Sequence, residues 1–369
     1  MVFDPYAEYI KETEPDKRFK SYIWATAIGL QKVDGLKTSK YLEKTARDNI
    51  EGKITIEQAQ KNIHNYYIQE DNKEEKNLTE EGDKASANIV KVLSERAFSF
   101  TPNEYISIHK KIFNGVLQNA GEIRDYNITK QEWVLNGDTV TYGTASDLKE
   151  TLEYDFTQEK AFSYNNLSTE EIIEHIAEFT SKLWQIHVFE EGNTRTTAVF
   201  LIKYLRTLGY DVNNDLFASK ARYFRNALVR ANYNNVKLEI NKTTKYLILF
   251  FKNLLMGETN ELKSRYLHID KNVVKYIREL EANKKVDIQD KKVDIQDKKA
   301  DIHKFTLKTQ SNIQKLYKEF GNTTIFGRTD AEKILGLKSA RTSKLLKQLL
   351  AHNIIEPVKG YGKGKYLFK

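Results

Sequence analysis

Apolar positions recur at helical spacing along most of this chain. After Ser168 the residues Ile172, Ile176, Phe179, Leu183 and Ile186 are separated by 4, 3, 4 and 3 positions. That stripe predicts a helix with one buried face. Start signals agree with it. Ser168 with Glu171, Thr55 with Gln58 and Thr329 with Glu332 read as capping boxes, and Thr101 precedes Pro102 and Glu104. Prolines are few: Pro5, Pro15, Pro102 and Pro357. The exception to the helical pattern is Glu132–Tyr142 (EWVLNGDTVTY), where β-forming residues flank Asn136-Gly137 and predict a β-hairpin. The expected fold class is mainly α: a helical bundle with one hairpin, followed by a small C-terminal unit.

Four regions follow. Residues 1–75 read as a helical N-terminal segment and 76–270 as the main helical body. Residues 271–304 are a charged linker containing KKVDIQD, KKVDIQD and KKADIHK over Lys284–Lys304. The period of seven suggests a coiled coil. However, Val286 and Ile288 are two positions apart, roughly 200° on a helix, and form no single seam. A duplicated linker is the reading, with a partner helix as the alternative. Residues 305–369 change character: a helix near Ser311–Phe320, a second short helix, a turn at Gly336-Leu337-Lys338, a helix over Ser339–His352, then Ile354–Val358 and Tyr366–Phe368 around GYGKGK. This is the order of a winged helix-turn-helix.

Composition narrows the chemistry. The 369 residues contain no cysteine. Disulfide scaffolds, thiolate zinc sites, iron–sulfur clusters and cysteine nucleophiles are therefore excluded. Apolar runs are too short for the roughly 20 residues that span a bilayer, so no membrane partner is expected. The acids and proline of MVFDPYAEYIKETEPDK do not suit a signal peptide, so a cytoplasmic protein is expected. The formal net charge is +8. Residues 284–369 carry 20 Lys+Arg against 9 Asp+Glu, a net of +11, which leaves −3 for residues 1–283. Arg341, Lys344 and Lys347 fall on the third helix of the C-terminal unit, with Lys359, Lys363 and Lys365 around the wing. Such residues can neutralise DNA phosphates; a protein-binding role is the alternative.

The segment His187-Val-Phe-Glu-Glu-Gly-Asn-Thr-Arg195-Thr-Thr-Ala198 joins two helical patterns. Gly192, Asn193 and Thr194 form the turn into the second helix, whose first N–H groups and dipole favour an anion. Arg195 adds a bidentate phosphate donor. Glu191 can hold Mg2+ against phosphates, and His187 can act as a general base. The plain alternative is a capped surface loop with an ordinary histidine.

The same segment resembles the Fic signature H-x-F-x-[DE]-G-N-G-R-x-x-R. The resemblance extends over roughly 85–260 and includes Ala120-Gly-Glu-Ile-Arg124 and Phe224–Asn232. It implies a protein adenylyltransferase that moves AMP from ATP to a Ser, Thr or Tyr hydroxyl of a target protein. By this resemblance His187 is the base, Phe189 anchors the loop, Glu191 binds Mg2+, Gly192, Asn193 and Thr194 line the anion hole, and Arg195 grips the distal phosphates. The hairpin would be the family's target-clamping flap, with Leu135 and Val140 near its tip. Asn226 and Asn232 are candidate adenine contacts.

Two positions depart from the signature. Thr194 replaces a glycine and Ala198 replaces the second arginine. The second departure leaves open another nucleotide or phosphate donor, or a non-catalytic nucleotide-sensing regulator that binds DNA. The N-terminal segment resembles the antitoxin-like helices that precede many Fic domains. Their inhibitory pattern is [ST]-x-x-x-E-[GN]; Asp34-Gly35 and Glu51-Gly52 are the nearest matches, with Leu30 and Arg47 four residues before them. Either acid is a candidate inhibitor. A homodimer is compatible with the sequence.

Overall fold

A computed structural model describes residues 15–69, 78–212, 216–269, 307–320, 324–352, 354–358 and 364–368. The chain divides into two units, Met1–Ala282 and Asn283–Lys369. The heptad repeat of Lys284–Lys304, together with Lys359 and Lys363, lies outside the described residues.

The first unit is helical: α1 Pro15–Leu30, α2 Lys40–Ile50, α3 Ile56–Ile68, α4 Glu80–Ser94, α5 Pro102–Phe113, α6 Leu148–Ala161, α7 Thr169–Ile186, α8 Asn193–Thr207, α9 Leu216–Ala231 and α10 Lys245–Leu255. The capping boxes at Thr55/Gln58 and Ser168/Glu171 both form, and the Thr101 hydroxyl accepts from the Glu104 N–H at 3.1 Å. Helix α8 is buried at every residue from Asn193 to Leu205. A helix covered all round belongs at the centre, and α8 packs against α4, α5, α7 and the 3-10 turn Gln31–Asp34. Phe100, Tyr105, Phe156, Phe179, Phe200 and Tyr204 form an aromatic cluster beside it.

Helix α1 packs on α4 and α9, so the N-terminal helices share one hydrophobic core with the rest of the unit. The α1–α9 crossing is close: a Cβ on Gly29 would stand 2.2 Å from the Ala218 Cα. Only glycine permits that approach. It sets the 3-10 turn Gln31–Asp34 beside the start of α8.

Glu132–Tyr142 is not a hairpin. Trp133–Leu135 forms a single 3-10 turn, followed by Asn136 and Gly137 at φ 56 and 89. No strand pairing occurs among the described residues of this segment. The Asn-Gly signal correctly marked two left-handed residues, but the β-formers beside it, Val134, Leu135 and Val140, are drawn into the core instead. Packing of the apolar side chains overrides strand propensity here.

The second unit runs α11 Leu307–Phe320, β1 Phe326–Gly327, α12 Arg328–Leu335, α13 Ser339–Ala351, β2 Ile355–Pro357 and β3 Lys365–Phe368. The sheet order is β1-β3-β2, with both pairs antiparallel. Pro357 is tolerated because β2 is an edge strand. Thr342, Leu345, Leu346 and Leu349 turn one face of α13 into a core with Phe326, Ile355 and Phe368. The expected Thr329/Glu332 cap is replaced: α12 starts at Arg328, and the Gly327 N–H donates to Asp330 Oδ2 at 2.8 Å. Among the described residues, no helix is long and apolar enough to cross a membrane.

Candidate active site

Helix α7 ends at Ile186, and His187 takes the left-handed conformation, φ 51 and ψ 58. For a residue with a Cβ this costs about 1 kcal/mol. Arg124 holds it there. Its Nε donates to the His187 carbonyl at 2.7 Å, Nη1 to Tyr126 O at 2.6 Å and Nη2 to Gly143 O at 2.5 Å, while its own N–H bonds Val188 O at 3.1 Å. One cation thus caps the C-terminus of α7 and ties both ends of the 126–143 segment to it.

The His187 side chain is buried. Its Nδ1 lies 3.4 Å from the Trp184 carbonyl, which can only accept, so Nδ1 carries the proton and Nε2 keeps its lone pair. The ring packs beside Tyr142 at 4.3 Å and meets Trp184 nearly perpendicularly at 5.2 Å. Burial pushes the imidazole well below its usual pKa, and the Lys130 cation adds to this, while the Trp184 carbonyl works in the opposite direction. The ring is neutral at pH 7.

The loop from His187 to α8 is closed on itself. Asn193 Oδ1 accepts from the Phe189 N–H at 3.0 Å, and Nδ2 donates to Phe189 O at 2.7 Å. Phe189 is fully buried and stacks on His109 at 3.7 Å. His109 Nδ1 accepts from the Gly121 N–H at 2.8 Å, which leaves its Nε2–H for the Glu191 carbonyl at 3.0 Å. Gly192 has φ 76, and a Cβ there would stand 2.3 Å from the Phe113 ring. After it, α8 opens with Asn193, Thr194 and Arg195, whose N–H groups are the first of the helix. The Thr194 hydroxyl does not point to that opening: it accepts from Trp184 Nε1 at 3.0 Å. Asn193 and Thr194 therefore reach an anion with backbone N–H groups only.

Arg195 is the most committed side chain of the site. It is 1% exposed, and its guanidinium stands 4.6 Å over Phe113. Nη1 donates to Gln31 Oε1 at 3.0 Å and Nη2 to Glu81 Oε1 at 2.8 Å. Nε makes an ion pair with Asp34 Oδ2 at 2.8 Å that is not aligned as a hydrogen bond. Glu51 is not among these partners and pairs with Lys53. The structure thus separates the two candidate inhibitory acids.

Glu191 is about half exposed and pairs with Lys130 at 3.0 Å. Among the described residues, no cluster of three or more His, Asp or Glu could hold a metal. One accessible carboxylate fits Mg2+ that keeps waters and brings phosphate oxygens with it, not a resident caged ion.

Leu135 and Val140 are 1% and 2% exposed, so neither is presented to a target. Glu132 is fully buried, held bidentately by Arg225 at 2.5 and 3.0 Å and by the Tyr142 hydroxyl at 3.0 Å. Asn232 is spent on Ser181 and Leu228 O, so its amide already serves to join α9 to α7. Asn226 is nearly buried on α9. In the second unit Arg341, Lys344 and Lys347 are exposed on α13 and make no ion pair among the described residues; Lys363 lies outside them.

Sequence reasoning did not single out Gln31, Glu81, His109, Lys130, Tyr142 or Trp184. Glu81 and Arg195 are 114 residues apart in the chain, and no local spacing announces such a pair. Arg124 was visible only as the end of Ala120-Gly-Glu-Ile-Arg124.

A Fic/DOC family domain lies at residues 99–205, which match that family from just before α5 through most of α8. Among solved structures, the chain is similar to the N-terminal FIC domain of a VirB-translocated Bartonella effector protein from Bartonella sp. 1-1C, at 19% identity, TM-score 0.37, 46% of this chain and 81% of that one. It is also similar to a Fic family protein from Desulfovibrio desulfuricans, at 11% identity, TM-score 0.44, 99% of this chain and 94% of that one. No curated protein matches the chain.

Proposed function

We propose that this protein is a Mg2+-dependent adenylyltransferase that transfers AMP from ATP to a Ser, Thr or Tyr hydroxyl of a target protein. The observation that carries the reading is a buried neutral imidazole whose Nε2 has no hydrogen-bond partner among the described residues, in a loop that runs directly into the N-terminus of a buried helix. Membership of residues 99–205 in a family that commonly transfers AMP to proteins supports it.

In the proposed reaction the target oxygen attacks the α-phosphorus, and the bond to the pyrophosphate oxygen breaks in line. The hydroxyl proton passes to His187 Nε2. Phosphate oxygens lie on the N–H groups of Asn193, Thr194 and Arg195, where positioning and fixed dipoles lower the barrier. Glu191 would hold Mg2+ together with the nucleotide, and the ion would supply charge neutralisation. Arg124 and Tyr142 fix the His187 backbone and ring.

The N-terminal helices act in this reading as an antitoxin-like regulatory segment. A distal phosphate reaches Arg195 only after Asp34, Gln31 and Glu81 let go. Residues 305–369 act in this reading as a winged helix-turn-helix, with α13 as the helix that meets DNA through Arg341 and Lys344. A second donor class, another nucleotide or phosphate conjugate, is favoured by one observation: the buried residue at the second arginine position of the signature is Ala198, so no cation stands there.

The test is incubation of wild type and Asp34→Ala with Mg2+ and each nucleoside triphosphate, then intact mass measurement of this protein and of lysate proteins. An adduct of AMP mass that is lost in His187→Ala is expected. Adducts unchanged in His187→Ala would remove the catalytic assignment, and adducts from another donor alone would select the second class.

A further inference from the structure

Lys130 stands out because the reaction just described does not use it. Its ammonium lies 3.0 Å from Glu191 Oε2 and 3.3 Å from the Glu190 carbonyl, at the mouth of the site. Its contacts to two successive residues place it on the loop that runs into α8. The other cations near the loop are committed deeper in the protein: Arg195 to Gln31, Glu81 and Asp34, Arg225 to Glu132, and Arg124 to main-chain carbonyls. Among the described residues Lys130 has one carboxylate partner, and that pair is partly open to solvent, with side chains 25% and 55% exposed.

We propose that Lys130 is a built-in counter-ion of the site that exchanges partners when the metal–nucleotide complex enters. In the protein alone it occupies the cation position at Glu191. When Mg2+ takes that carboxylate, the ammonium is displaced and, on its flexible stem, turns to the charge that develops on the transferring phosphoryl group, so that its contact counts in the reaction step and not in nucleotide binding. Lys130 thereby restores on one side of the nucleotide a positive charge that α8 lacks at Ala198. The exchange is cheap for two reasons. An exposed pair of this kind contributes little stability, and lysine binds phosphate as a mobile point charge without a fixed fork.

This inference rests on the reading that Glu191 holds Mg2+, and one experiment separates the two. In the Asp34→Ala background, calorimetry gives the Kd for ATP in EDTA and for Mg2+–ATP, and their ratio is the metal's contribution to binding. Lys130→Met leaves Glu191 without its competitor, so the ratio rises, by about two- to fivefold for a partly exposed pair. Lys130→Arg keeps the ratio within about twofold of the parent, since the charge is retained. Glu191→Gln brings the ratio close to one. If Glu191→Gln leaves the ratio intact, the metal reading fails and the proposal with it. If Glu191→Gln collapses the ratio but Lys130→Met does not raise it, the counter-ion proposal alone is overturned. A second readout is the single-turnover rate with saturating Mg2+–ATP, which falls about tenfold or more in Lys130→Met and is largely rescued in Lys130→Arg, as expected for a charge that stabilises the phosphoryl group. An unchanged rate in Lys130→Met overturns the phosphate half of the exchange.

Discussion

Two sets of cations in this protein are suited to phosphates, and they are kept in opposite states. Arg195 at the head of α8 is 1% exposed and bound by Gln31, Glu81 and Asp34. Arg341, Lys344 and Lys347 on α13 are exposed and make no ion pair among the described residues. Residue type does not distinguish the sets; environment does. A buried guanidinium must be fully partnered, because an uncompensated charge in a low-dielectric interior costs several kcal/mol. A surface lysine is partnered by water and releases counter-ions only when a polyanion arrives. In the proposed reading the first set is a gate that must be opened, and the second a standing surface that needs no rearrangement.

The largest effect is expected on the open set. Replacing Arg341, Lys344 and Lys347 together by alanine in the full chain should weaken duplex DNA binding by about two orders of magnitude at low salt. The slope of log K against log salt should become shallower by roughly 2.7, at about 0.9 per phosphate contact. A slope that does not move would assign α13 to a protein partner instead.

The closed set responds in the other direction. Asp34→Ala should strengthen ATP binding by about tenfold, since a charged contact worth roughly 1.5 kcal/mol no longer competes for Arg195. Glu81→Ala should add to it, and nucleotide binding measured by calorimetry checks both. Equal affinity in the parent and both variants would show that Arg195 is not the gate.

The loop beside Arg195 is also sensitive to acid. Burial lowers the His109 pKa to about 4, against 6.5 unfolded. Between those values the unfolded chain binds more protons, so stability is full above pH 6.5 and is lost as pH falls toward 4, by roughly 3 kcal/mol in total. Urea unfolding of the full chain at pH 7 and pH 4.5 should show the loss, and His109→Gln should reduce the difference. The smallest effect belongs to Glu51. Its pair with Lys53 lies at the surface, so Glu51→Ala should change ATP affinity less than twofold.

Much of the loop was legible in the sequence because its logic is local. His187, Gly192, Asn193 and Arg195 fall within nine residues, and the turn between two helices follows from glycine's left-handed freedom and the periodicity on either side. The capping boxes at Thr55 and Ser168 were legible for the same reason. The segment Glu132–Tyr142 was misread because its apolar residues have two ways to be satisfied, across a ladder or into a core, and only the surrounding helices decide between them. The Thr329 cap was misplaced by two residues because Asp330 reaches the Gly327 N–H equally well.

By itself, then, the sequence determined a helical protein, a phosphate-suited loop, a basic C-terminal unit and a chemistry without thiols. Periodicity, caps and residue chemistry are properties of the local sequence. The tertiary structure decided which of those groups are free to act. Gly29 lets α1 cross α9 closely enough to bring Gln31 and Asp34 to Arg195, and α4 brings Glu81 from 114 residues away. Such contacts depend on how helices pack, and packing is fixed by shape across the whole core, which no window of sequence contains.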